Sequence, residues 1–206
     1  MTVPQELFEI GTGAGYMPDD DGIERRVLFV DFESSGLHKG SYPVEMAICG
    51  LDLQPRSFLI RPHATWTMDD WSIISEQVHG ISRQQTEEEG VDIDDLMEVL
   101  QDGYRGIWLL SDNPGMDHFW FLRMATAARE MIYKPVFCDH MEYMGHLAVM
   151  HGRSIDFLVS LYDDAKAVYP RTHRAGPDAL NHAAVAAGLI LGHLPDPAGL
   201  IEARSR

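Results

Sequence analysis

Asp31-Phe32-Glu33 sets two carboxylates two residues apart, and residues i and i+2 of an extended segment point to one face. The apolar stretch before them, Arg26 to Asp31, reads as a buried strand that stops at Ser34-Ser35-Gly36. Both acids therefore project together from a strand end, an oxygen-rich pair suited to hard cations such as Mg²⁺ or Mn²⁺. An Asp-x-Glu triplet alone is common and usually solvated. Two further segments add to it. Ser111-Asp112-Asn113 closes a later apolar strand, and Pro114-Gly115-Met116-Asp117 opens a helix. A third carboxylate then lies at a strand's C-terminal end, where open α/β sheets place their ligands. In His173-Arg-Ala-Gly-Pro-Asp178, Pro177 makes Asp178 an early helical residue, with His173 in the loop ahead. Taken singly, Asp117 and Asp178 fit helix-start acids favoured by the macrodipole, and His173 fits a surface histidine.

The elements that must position these residues can be read from periodicity. After the first strand, 44–52 and 56–61 read as two more strands, joined at Gln54-Pro55 as a hairpin. A short helix is expected over 68–76, and Ser82 starts another turn. Residues 92–102 carry Ile93, Leu96, Met97 and Leu100 at helical spacing, with Gly103 expected as the C-cap. A strand over 106–111 precedes a helix from Pro114 to about Glu130. A strand over 135–138 leads to a helix capped by Asp139, and helices over 154–168 and 175–191 follow. Three early strands and then alternating helices and strands make an α/β domain with a mixed sheet. Residues 1–24 lack periodicity and read as an irregular arm. Gly11, Gly13 and Gly15 lack the Lys-Ser/Thr of a phosphate loop and read as a flexible turn.

Net charge is −16, from 32 acidic and 16 basic residues. Grip on long duplex DNA needs a basic face, because phosphate contacts dominate affinity, so this composition argues against broad duplex binding. Eight of the acids fall between Glu87 and Asp102 with no base among them, which reads as a solvated helix face. No apolar run is long enough to span a bilayer and no secretion signal is visible, so a cytoplasmic protein is expected. Cys49 and Cys138 have no zinc-type spacing and read as buried reduced thiols. His140, His146 and His151 match no common metal spacing and read as surface or helix-packing residues. The methionines are core filler.

Together, Asp31-Phe-Glu33-Ser-Ser-Gly-Leu37, Asn113-x-x-x-Asp117 and His173-x-x-x-x-Asp178-Ala179 resemble the three motifs of DEDDh 3′–5′ exonucleases. Gln77-Val-His79-Gly80-Ile81-Ser82, with Trp71 and Arg83 around it, resembles the segment between the first two motifs in relatives of ribonuclease T and bacterial proofreading subunits. The resemblance runs from about Val27 to Leu191. It departs at Ser34-Ser35, where threonines are usual, at Met116, where Phe is usual, and at Asp112, where His is usual. Asp112 adds a carboxylate near the site, or alternatively caps the helix that follows.

The resemblance implies a ribonuclease H-like fold: a mixed five-stranded sheet in order 3-2-1-4-5, strand 2 antiparallel, flanked by helices. It implies one exonuclease domain over 25–206. Two divalent ions, Mg²⁺ or Mn²⁺, about 4 Å apart would flank the scissile phosphate. Asp31 would bridge them, Glu33 and Asp178 would complete one site, Asp117 would hold the other, and His173 would act as general base. Ser34, Ser35, Leu37, Val78 and His79 would line a pocket for the terminal nucleotide, His79 equally fitting a structural role. Phe119, Trp120 and Phe121 could stack bases but sit inside a helix and read mostly as core. Lys39, Arg153, Arg171 and Arg174 are the basic residues near the motifs. The implied partner is single-stranded or short nucleic acid, with no membrane; a polymerase partner or a homodimer are the protein partners to consider. An oligoribonuclease-like degrader of short RNA and a non-catalytic binding module on the same fold are the competing functions.

Overall fold

A computed structural model describes residues 15–19, 21–129 and 134–197. The Gly11 and Gly13 turn lies outside them. The chain is built around β2 (Glu24–Ser34), whose side chains alternate between two cores. Leu28, Val30 and Phe32 enter one core with Met46 and Ile48 of β3 (Pro43–Cys49), closed by α3 (Ile93–Tyr104) and α4 (Pro114–Ala127). Val27 and Phe29 enter the other with Cys49, closed by α5 (His140–Met150), α6 (Ile155–Val168) and α7 (Ala175–Leu191). Asp31 and Glu33 continue this second row. The face that buries Val27 and Phe29 therefore turns acidic where the strand runs out.

The sheet runs β4-β3-β2-β5-β6, with β4 at Arg56–Leu59, β5 at Trp108–Ser111 and β6 at Val136–Asp139. β3 is antiparallel to β2 and to β4, whereas β5 runs parallel to β2 and β6 to β5. The expected order and the single reversed strand hold. A sixth strand, β1 (Gly15–Pro18), pairs antiparallel with residues 24–27 of β2, within the stretch read as irregular. A side chain on Gly15 would run into the Tyr143 hydroxyl, so the pairing depends on the glycine and was invisible to periodicity.

Two helix boundaries differ from expectation. The stretch 68–76 is not one helix: a 3₁₀ turn at Met68–Asp70 ends before Ser72, which is extended and starts α1 (Ile73–His79). The Ser72 hydroxyl accepts from Ser75 N, and its own N–H donates to the Ser35 carbonyl, so a tertiary bond breaks the run. Gly103 lies inside α3, and the left-handed glycine is Gly106, φ 78°. Ser82 caps a further short helix, α2 (Arg83–Glu89). Cys49 is buried and Cys138 half-buried; both are free, and burial pushes the Cys138 thiol up to about 11. Trp120 and Phe121 are core, with Phe119 packed against it. Among the described residues no helix is long and apolar enough to cross a membrane.

Candidate metal centre

Four segments meet at the rim where β2 and β5 end. Asp31 and Glu33 come from β2. Ser111, the last residue of β5, is fully buried and donates its hydroxyl to Asp117 Oδ2 at 2.6 Å. Asp117 is the fourth residue of α4, whose first is Pro114. Asp178 lies in the first turn of α7, with Oδ1 accepting from Thr172 N at 2.8 Å. Asp31, Glu33 and Asp178 each offer an oxygen within 4.8 Å of the others, and so do Asp31, Asp112 and Asp117. Asp31 belongs to both groups and sits between them.

This crowding is electrostatically costly. Asp31 is raised well above the ordinary carboxylate range, first by burial and then by Asp117, Glu33 and Asp178. Burial, with Asp178 and Glu45, pushes Glu33 up to about 8. Burial pushes Asp117 up to about 7, against the Ser111 hydrogen bond. A bound cation would reverse these shifts, because its charge offsets both repulsion and lost solvation.

The α7 end is held by a residue that the sequence does not single out. Glu45 is buried on β3 opposite Glu33. It accepts from Arg174 Nε at 2.9 Å and Arg174 Nη2 at 2.6 Å, and from Ala175 N at 2.9 Å. A carboxylate from the sheet thus caps α7, which has no side-chain cap of its own. Gly176 lets the helix approach the sheet, since a side chain there would lie 2.4 Å from Ser57 Oγ. Next to this clamp His173 is exposed and left-handed, φ 53°, an uncommon state for a non-glycine residue.

The expected pocket residues divide. Ser35 is enclosed: its hydroxyl donates to the Asp70 carbonyl and accepts from Tyr42 N. Its hydroxyl therefore ties the loop down. Ser34 is buried and bonds to the Gly36 carbonyl. His79 is buried, with Nδ1 accepting from Ile81 N, and burial lowers its pKa against a bond to the Ser34 backbone. Leu37 and Val78 do face outward, 80% and 50% exposed. Of the basic residues, Lys39 is exposed. Arg153 bonds to the Leu189 carbonyl near the opposite end of α7. Arg174 is taken by Glu45. Arg171 reaches into the cluster, 2.8 Å from Asp112 Oδ2 and 3.3 Å from Asp178 Oδ2.

Asp112 does not cap α4, because the cap position belongs to Asn113. Its carboxylate turns instead to Arg171 and to His182, whose Nε2 lies 3.6 Å from Oδ2. The His182 imidazole and the Arg171 guanidinium hold Asp112 well below the usual carboxylate range despite burial. His182 was missed in the sequence, although its place one turn after Asp178 puts it on the same helix face. His140 is buried, as helix packing requires, bonded to the Ser111 carbonyl and the Tyr162 hydroxyl.

Comparison with known proteins gives the fold independent support. No family model matches the chain, and no curated protein matches it by sequence. Among solved structures, E. coli exonuclease I with single-stranded DNA in its zinc-bound form superposes with a TM-score of 0.55 at 16% identity. That match covers 86% of this chain and 42% of the other. E. coli exonuclease I with a dA16 oligonucleotide gives 0.53 at 16% identity, over 86% and 42%. Exonuclease I from Methylocaldum szegediense gives 0.53 at 14%, over 79% and 40%. The chain thus spans about two fifths of the length of these proteins, and the likeness is one of fold.

Proposed function

We propose that the chain is a metal-dependent 3′–5′ exonuclease of the DEDDh type. It would release nucleoside 5′-monophosphates from the 3′ ends of single-stranded DNA or RNA, with residues 25–206 as its one catalytic domain. The observation that carries this reading is the pair of acid triads sharing Asp31, each with its oxygens within 4.8 Å. Convergence of acids this far apart in sequence is not required by the fold, and it destabilises the chain unless a ligand offsets it. The donors are all oxygen, the set preferred by Mg²⁺ and Mn²⁺.

Divalent cations bound there would neutralise charge on a phosphodiester and acidify water beside it. The chain supplies the rest. Asp31, shared by the two triads, would contribute to both positions. Glu33 and Asp178 face one position and Asp117 the other, with Ser111 orienting Asp117. His173, on the exposed loop ahead of α7, would accept the proton of the attacking water as its oxygen bonds to phosphorus; the P–O3′ bond breaks and the departing 3′ oxygen takes up a proton from solvent. Its neighbours Thr172 and Arg174 are pinned by Asp178 and Glu45, so a base on a loop still has a fixed anchor. Leu37 and Val78 offer apolar surface to a terminal nucleotide. The scarcity of free basic side chains near the rim favours a single strand entered from its end over a long duplex.

The test is incubation of 5′-labelled DNA and RNA oligonucleotides with purified protein and Mn²⁺. A ladder shortening from the 3′ end is expected, and it should vanish in excess EDTA. Binding without cleavage would instead identify a non-catalytic module, and cleavage undiminished by EDTA would remove the metal from the mechanism.

A further inference from the structure

The rim holds one carboxylate that the three motifs leave unused. We propose that Asp112 is itself a cation ligand, forming with Asp31 and Asp117 a three-carboxylate position, and that His182 is the positioning residue behind it. The proposal deepens the exonuclease reading and rests on it in one respect, that divalent cations bind at this rim.

Two independent observations support it. The first is distance: Asp112 offers an oxygen within 4.8 Å of oxygens of both Asp31 and Asp117. The second is His182. Its side chain is only 5% exposed, and neither ring nitrogen has a hydrogen-bond partner. A buried imidazole left unsatisfied is costly. Its ring packs against His140 at 4.4 Å and faces Phe29 at 6.5 Å. Nε2 is turned toward Asp112 Oδ2, but 3.6 Å is too long for a hydrogen bond. A shift of a few tenths of an ångström, as Asp112 settles on a cation, would close it. Ligating carboxylates and their outer hydrogen-bond partners recur as such pairs.

Arg171 shows that a positive charge is already drawn to this place. Its guanidinium spans Asp112 and Asp178, one acid from each triad. A guanidinium this close disfavours a second positive charge, so Arg171 competes electrostatically with a cation at this position.

The experiment is calorimetric titration of the metal-stripped chain with Mn²⁺. Wild type should bind two ions. Asp112→Asn should weaken one of them by at least about tenfold, the scale of losing a metal-site contact, and leave the other little changed. Arg171→Gln should tighten binding. The double variant Asp112→Asn/Arg171→Gln removes one charge of each sign, so it should stay weak if Asp112 is a ligand. Recovery of wild-type affinity in the double variant would mean Asp112 acts through charge alone and would overturn the assignment. For His182, Asn keeps a donor nitrogen and should bind nearly as wild type, whereas His182→Leu should match Asp112→Asn. Equal binding by wild type and His182→Leu would remove the positioning role. A wild-type chain that binds no Mn²⁺ would overturn both this assignment and the exonuclease reading. Two unaltered sites in Asp112→Asn would overturn this assignment alone.

Discussion

Two acidic regions of the molecule carry similar side chains to opposite ends. The run from Glu87 to Asp102 has eight acids, and it lies on α2, α3 and the turn between them with its charges outward. Glu87, Glu88, Glu89, Asp92, Asp95, Glu98 and Asp102 are exposed, and Asp94 is half-buried against Arg129. At the rim fewer acids converge, but Asp31, Asp117 and Asp178 are buried and Glu33 half-buried. Water screens the first group, and each of its charges costs little. The second group is held in a low-dielectric pocket by Ser111, Thr172 and the helix ends, so its charges act strongly on one another. In formal charge, acid for acid, the two groups count alike. Burial, rather than count, gives the rim its chemistry.

The sharpest way to break this comparison is to remove one acid from each region. Asp31→Ala should lower cleavage of a 3′ end by about a thousandfold or more, the scale of losing a preorganised charge contact. Asp95→Asn should leave the rate within experimental error. Equal losses in a single-turnover assay would mean that general negative charge matters and the cluster does not. His173→Ala should slow cleavage by about 10²- to 10⁴-fold, the usual contribution of a general base. Calorimetry should find its Mn²⁺ binding intact, because His173 stands outside both triads.

Next in size is the clamp between β3 and α7. Glu45→Ala leaves Arg174 and the α7 N-terminus without their acceptor. It should cost about 1–2 kcal/mol in urea unfolding, less than the loss of a fully buried pair, because the Arg174 side chain is more than a third exposed. Cleavage should fall too, since the loop bearing His173 loses its anchor. Removing the exposed Arg83–Glu87 pair by Glu87→Gln should cost less than about 1 kcal/mol.

A last effect is a pH dependence that belongs to the rim. Glu33 is raised from 4.5 to about 8 and Asp117 from 3.8 to about 7, burial being the main cause in both. Between the ordinary and the raised value the folded metal-free chain keeps a proton that the unfolded chain has released. The folded state is therefore fully favoured below about pH 4 and loses that advantage as pH rises to about 8. The Tm of the metal-free chain should fall across this window, and saturating Mn²⁺ should abolish most of the fall. A Tm independent of pH in the absence of metal would show that the acids do not lose their water as their placement requires.

Much of this was legible in the chain. The alternation in Arg26 to Glu33 put Asp31 and Glu33 on one face, and Pro114 and Pro177, each in the first turn of its helix, put Asp117 and Asp178 near helix beginnings. Those are local properties, set by strand and helix periodicity and by the fixed φ of proline. Long-range partners were not legible. Ser35 was expected at a pocket because it follows Asp31 and Glu33 directly, yet its hydroxyl is engaged by Tyr42 and Asp70. Asp112 fitted either an added carboxylate near the site or a cap; Asn113 holds the cap and the carboxylate turns to Arg171. Glu45, His182 and the β1 strand gave no signal, since their roles depend on α7, β5 and β2 meeting in space. The sequence by itself determined which side chains lie on each element's functional face, because periodicity is a property of neighbours. Only the tertiary structure decided which of those faces meet and which charges lose their water, because burial depends on every element at once.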